Sequence, residues 1–97
     1  MKIAIYSRGI ENNQIKDIHQ LFEELISNGA EPVFFQDFFN QFYSSLQLKK
    51  YSTFNSSTDL DETISCIISL GGDGTLLDTV TLVKDTGTPV VGINYGR

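Results

Sequence analysis

Gly71-Gly72-Asp73-Gly74-Thr75 places three glycines in four positions between an apolar run and a helix-like run. It is the segment best suited to chemistry. Glycines permit left-handed backbone angles and leave no side chain between peptide N–H groups and an approaching phosphate. A helix starting here would turn its positive dipole end to the same point. Asp73 is the discordant member, because a carboxylate repels phosphate. It makes sense if it orients or deprotonates an attacking hydroxyl, or holds Mg²⁺ against the phosphates. An aspartate is ionised at neutral pH and can accept a proton. Phosphoryl transfer uses all of these parts together. The competing reading is a tight strand-to-helix turn in which Asp73 caps the helix.

The elements around the loop follow from periodicity. Lys2 to Tyr6 reads as a short buried strand ended by Ser7-Arg8-Gly9. Asn12 or Asn13 can cap a helix carrying Ile15, Ile18, Leu21, Phe22, Leu25 and Ile26 at helical spacing, with Asn28-Gly29 as its left-handed stop. His19 on that helix reads as a partly exposed surface residue. Pro32 to Phe35 is a second strand. Asp37 can cap a helix through about Leu46, whose Phe38, Phe39, Phe42, Tyr43 and Leu46 form one broad face for core packing or for docking. Gln47 to Thr58 reads as loop, and Asp59-Leu60-Asp61-Glu62 as solvated acids rather than a metal cluster.

Ile64 to Leu70 is a continuous apolar run suited to a central parallel strand. Thr75 to about Asp85 is a helix with Leu76, Leu77, Val80 and Val83 expected on its inner face, and Val90 to Ile93 is a last strand. The order β-α-β-α-β-α-β predicts a Rossmann-like three-layer α/β/α fold with a mostly parallel sheet. In such a sheet ligands bind beyond the carboxyl ends of the strands, where the glycine loop lies. No Walker-type Gly-Lys-Ser/Thr loop is present, and no G-x-G-x-x-G opens the first helix.

Composition bounds the partners. Residues 1–97 suit one domain, and 12 acids against 7 bases give a formal charge of -5. That balance argues against a nucleic-acid surface. An acidic chain that binds nucleotides must concentrate attraction locally, through backbone N–H groups or bound cations. Cys66 is the single cysteine, which excludes an intrachain disulfide and reads as a buried structural thiol. Nothing resembles a signal peptide and no segment approaches membrane-spanning length, so the cytoplasm is the expected location.

The wider context of the loop is informative. GGDGTLLD is followed, after a helix, by Thr88-Pro89-Val90-Val91-Gly92-Ile93-Asn94-Tyr95-Gly96-Arg97. This pair of segments resembles the NAD kinases, and the second one separates them from the other GGDGT kinases: the lipid kinases and phosphofructokinases. The clear resemblance covers Ile64 to Arg97. It implies an N-terminal α/β domain over 1–97 of an enzyme that phosphorylates the adenosine ribose 2′-hydroxyl of NAD to give NADP. The donor would be ATP or polyphosphate, with a divalent metal, Mg²⁺ by expectation, and no metal ligand is assigned to this chain. Asp73 would be the proton acceptor. Gly71, Gly72, Gly74 and Thr75 would line the phosphate and nucleotide site, and Asn94 and Gly96 would help shape the NAD pocket.

Asp78 departs from the resemblance, standing where many relatives carry a basic residue. The family's β-rich NAD-binding domain is also missing from these residues, so the piece alone is expected to be inactive. Self-assembly of the full-length protein is expected from the family. The alternatives are a fragment of a lipid kinase and a non-catalytic nucleotide-binding or interaction module.

Overall fold

The computed structural model describes residues 1–46 and 51–94. Five strands form one parallel sheet: β1 (Lys2–Tyr6), β2 (Glu31–Phe35), β3 (Ser52–Phe54), β4 (Ile64–Gly71) and β5 (Val90–Asn94), in the order β3-β2-β1-β4-β5. Three α-helices connect them: α1 (Ile15–Ser27), α2 (Gln36–Leu46) and α3 (Asp73–Val83). The expected α/β class and three-layer arrangement hold.

Side-chain alternation along each strand builds the two faces. Ile3, Ile5, Phe34, Ile68 and Leu70 point to one side, where α1 packs Ile18 and Phe22 and α2 packs Phe38 and Phe39. Ala4, Val33 and Ile67 point to the other, where they meet Phe54, Leu60, Ile64 and Val83 of α3. Phe34 is central to the first cluster, with ring centroids 5.0 Å from Phe22 and 5.6 Å from Phe39. Each such fully buried side chain contributes about 1.5–3 kcal/mol of transfer free energy. Ile67 to Leu70 are all buried, as a strand covered on both faces requires.

The structure revises several expectations. Residues 52–54, inside the stretch read as loop, form β3; residues 47–50 lie outside the described set. Ser52 and Thr53 carry little hydropathy. The strand exists because it pairs with β2 (Val33↔Ser52 to Phe35↔Phe54) and because Phe54 is buried. The first helix is entered through a 3₁₀ turn, Asn12–Gln14, with Glu11 at its N-cap rather than Asn12 or Asn13. The Glu11 N–H donates to the Gln14 side chain at 2.9 Å, which closes the entry. Asp37 lies inside the first turn of α2 rather than at its N-cap, because the helix begins at Gln36, two residues earlier than a cap at Asp37 implies. Phe38 and Phe39 serve the core, whereas the side chains of Tyr43 and Leu46 lie outside the described ones. Gly29 has φ +91° after α1, the expected left-handed stop.

The largest revision concerns α3. It buries Thr75, Thr79 and Val83, while Leu76, Leu77 and Val80 are exposed, Leu77 at 68 %. Of the four residues expected on the inner face, Val83 is there and the other three are not. Thr79 tolerates full burial because its hydroxyl donates to the Thr75 carbonyl one turn back, at 2.8 Å. Cys66 is partly rather than fully buried, and desolvation pushes its thiol up from the ordinary value.

Candidate active site

The strand order sets where a ligand crevice opens. From β1 the chain crosses through α1 to β2 on one face, and from β4 it crosses through α3 to β5 on the other. The two connections diverge between neighbours β1 and β4, the topological switch point of the sheet. β1 runs out into Ser7-Arg8-Gly9, and β4 ends at Gly71, with Gly72 leading into α3. The two segments stand side by side although some sixty residues apart in the chain, because Tyr6 of β1 registers with Ser69 of β4.

Only Gly71 in the glycine loop uses a conformation closed to other residues, with φ +150°. A Cβ there would also lie 2.6 Å from Thr75 Oγ1 and 3.0 Å from Thr75 Cβ. Gly72 is extended (φ -100°, ψ -161°) and forms the N-cap of α3, with no side-chain capping bond. Gly74 is already within the helix. The expectation of left-handed angles therefore applies to one glycine of the three. Thr75 packs beneath Gly71, and this contact sets the rotation of α3 about its axis.

Asp73 is the first residue of α3 and is exposed, so the helix begins two residues earlier than the sequence suggested. It is not the N-cap, so the cap required by the turn reading is not made by its carboxylate. Asp73 lines a cleft of about 130 Å³ together with Gly71, Gly72 and Ser69. The opposite wall is Gly92, Ile93 and Asn94 of β5, with Leu76 between. Leu76 Cδ1 would stand 3.4 Å from a Cβ on Gly92, so this glycine gives the leucine room against the strand. Asp73, Gly71, Gly72 and Asn94 thus converge on one cleft. Thr75 lies behind the loop, Gly74 faces the β1 side, and Gly96 lies outside the described residues.

On that β1 side is a polar cluster that the sequence reading missed. Arg8 Nε donates to Asp78 Oδ2 at 2.6 Å, and Nη2 donates to Oδ1 at 3.0 Å. The Tyr6 hydroxyl donates to the same carboxylate at 3.0 Å. The guanidinium holds the Asp78 carboxyl below the usual range, with the tyrosine hydroxyl adding to the effect. Burial, then Asp78, pushes the Tyr6 phenol up. No local motif reveals this cluster, in which Asp78 lies 70 or more residues from both of its partners.

Other polar groups weighed from the sequence find ordinary roles. His19 is partly exposed and sits 3.2 Å from Glu23 on the same helix. Asp59 accepts backbone N–H bonds from Asn55 and Ser56, and Asp61 accepts from Thr63, so both finish turns. Among the described residues, no helix is long and apolar enough to cross a membrane.

Comparison with known proteins agrees with this geometry. Residues 12–97 match the ATP-NAD kinase N-terminal domain. Over its whole length the chain is 41% identical to an NAD kinase from Flavobacterium johnsoniae and 37% identical to one from Flavobacterium psychrophilum, covering 33% of each. A 34-residue segment, 35% of the chain and 12% of the relative, is 56% identical to an NAD kinase from Heliobacterium modesticaldum. The chain spans about a third of the length of the first two relatives. With a glycine-rich β4–α3 loop at the switch point and a match over most of its residues, the chain belongs to the NAD kinase family, within the N-terminal domain.

Proposed function

We propose that this chain is the N-terminal α/β domain of an enzyme that transfers a phosphoryl group from ATP or polyphosphate to the adenosine ribose 2′-hydroxyl of NAD. The observation that carries the reading is the exposed Asp73 carboxylate at the positive end of α3, in a cleft shared with Gly71, Gly72 and Asn94. Family membership removes the lipid-kinase alternative.

The chemistry asks for a base and for electrostatic stabilisation. Asp73 supplies the base: it accepts the hydroxyl proton as the oxygen attacks phosphorus, and positions that oxygen in line. The peptide N–H groups of Gly72 and Gly74 and the α3 dipole stabilise charge on the transferred group. Thr75 keeps the loop in shape from beneath, and Asn94, with Gly96 beyond it, contributes to the NAD side.

Among the described residues no group of three or more His, Cys, Asp or Glu side chains could hold a metal ion. Asp73 is the one carboxylate lining the cleft among the described residues. Mg²⁺ keeps several waters and is usually held by one or two carboxylates plus phosphates, so this donor set fits an ion arriving on the triphosphate. When bound, the ion would neutralise phosphate charge.

A cleft walled by one domain leaves a nucleotide open to water, so the remaining two-thirds of the relatives' length would complete it. The test is NADP formation by the full-length protein with NAD, ATP and Mg²⁺, beside Asp73→Asn and beside residues 1–97 alone. Activity in the parent, a loss of at least about 10²-fold in Asp73→Asn, and none in the isolated piece are expected. An active Asp73→Asn variant refutes the role of Asp73. A folded parent inactive with both ATP and polyphosphate refutes the reaction. We expect the full-length protein to be cytoplasmic and to self-associate.

A further inference from the structure

The glycine loop offers backbone donors and a helix dipole, yet the chain is acidic and a nucleotide's phosphate chain carries several negative charges. A full positive charge near the loop would answer this. Among the described residues Arg8 is the single arginine, and it stands at that place.

Three observations bear on it. First, Arg8 is the second residue beyond β1, so the switch point puts it across from the β4–α3 loop. Second, its guanidinium passes close over Gly74: a Cβ on that residue would stand 2.9 Å from Nη1. Any larger residue at position 74 would push the guanidinium off the loop. Third, the side chain is held. Asp78 takes Nε and Nη2 in a two-pronged pair, and Tyr6, its ring 4.8 Å from Phe35, holds the same carboxylate. The Ser7 hydroxyl accepts the Gly9 N–H at 3.1 Å, which shapes the loop that carries Arg8.

The direction of the pair matters as much as its existence. Asp78 lies one turn further along α3 than Gly74, about 6 Å of helical rise. The positive end of the ion pair therefore faces the glycine loop, and the negative end points away down the helix. Arg8 remains 60 % exposed on its side chain, which is wasteful for a structural bridge, since exposed pairs contribute little to stability. An arginine fork is well suited to phosphate oxygens.

We infer that Arg8 is a phosphate-binding residue of this site, gripping the phosphate chain of a bound nucleotide opposite the glycine loop, with Asp78 and Tyr6 as its positioning residues. This rests on the phosphoryl-transfer reading and adds a residue to it.

The test uses the full-length protein and its Arg8→Gln, Arg8→Lys and Asp78→Asn variants. KM for ATP, KM for NAD, kcat and Tm are measured for each. Arg8→Gln is expected to raise KM for one nucleotide about tenfold or more, with Tm unchanged and the other KM within twofold. A rise confined to ATP assigns the grip to the donor; a rise confined to NAD assigns it to the NAD pyrophosphate. Arg8→Lys should fall between, keeping charge without the fork. Asp78→Asn should raise the same KM by less, since the cation remains but is no longer aimed. Unchanged KM values in Arg8→Gln, or a general loss that tracks a fall in Tm, would overturn the inference. Calorimetric binding of inorganic tripolyphosphate separates this from the reaction itself. If the parent forms no NADP, parent binding that is weakened in Arg8→Gln still supports the grip. Equal affinities, or no binding to the parent, overturn it.

Discussion

Replacing Gly71 by alanine tests the account of how the loop and α3 are locked together. The new methyl carbon would sit 2.6 Å from Thr75 Oγ1, 3.0 Å from its Cβ and 3.3 Å from its Cγ2, where ordinary contacts begin near 3.4 Å. Thr75 is 6% exposed and its carbonyl holds the Thr79 hydroxyl, so it has little room to retreat. Overpacking of this kind costs about 1–3 kcal/mol. The φ of +150° adds strain of roughly 1–3 kcal/mol for a residue with a side chain. The smaller entropy of the unfolded alanine chain offsets about 0.4–1 kcal/mol. The net expectation is a loss of roughly 3 kcal/mol. With an m-value of about 1–3 kcal/mol/M for a small domain, the urea midpoint of the chain by circular dichroism should fall by roughly 1–3 M. Adding Thr75→Ala removes the hydroxyl and methyl that collide, so the pair should couple favourably by about 0.5–3 kcal/mol in a double-mutant cycle. A single variant within about 0.5 kcal/mol of the parent, or a cycle with no coupling, would refute the reasoning.

The orientation of α3 predicts that Leu77→Lys changes unfolding free energy by no more than about 0.5 kcal/mol, because the side chain is 68 % exposed. A loss above 2 kcal/mol in the same urea experiment would mean that Leu77 is covered. Phe34→Ala, at the centre of the first cluster, should cost about 3–5 kcal/mol by the same measurement. The Asp78 carboxyl is lowered, first by its bond from Arg8, so its contribution is present above the ordinary aspartate range and lost as pH falls through the lowered value. Urea midpoints measured below about pH 4 should fall less steeply in Asp78→Asn, by a small margin for a pair open to solvent; identical slopes would contradict the assignment. The Tyr6 phenol is raised by burial and then by Asp78, so Asp78→Asn should bring its titration, followed by NMR, back toward the ordinary value. An unchanged midpoint would mean that the carboxylate has no hold on it.

Much of this domain was legible in one dimension. β1 matches its expected bounds, and β2, β4 and β5 extend the expected runs by one residue each; β1, β2 and β4 are the buried parallel strands that continuous apolar runs suggest, whereas β5, at the sheet edge, has no buried residue. Gly71-Gly72-Asp73-Gly74 stood out because the lack of side chains is itself a local signal, and Gly71, Gly72 and Asp73 do line one cleft. Asn94 joined it in the cleft because β5 pairs in parallel with β4, Gly71 registering with Asn94. Other features had no local signal. β3 is a strand through its pairing with β2 and the burial of Phe54, neither of which Ser-Thr-Phe reveals alone. The buried face of α3 belongs to Thr75, Thr79 and Val83 because Gly71 seats Thr75 beneath the loop and so sets the helix rotation, against the hydropathy of Leu76, Leu77 and Val80. In the sequence Arg8 is part of the turn that ends a strand, and Asp78 is an acid where many relatives carry a basic residue. Sheet order made them partners: β1 and β4 are neighbours in space, and a contact between residues 70 positions apart is a property of the fold.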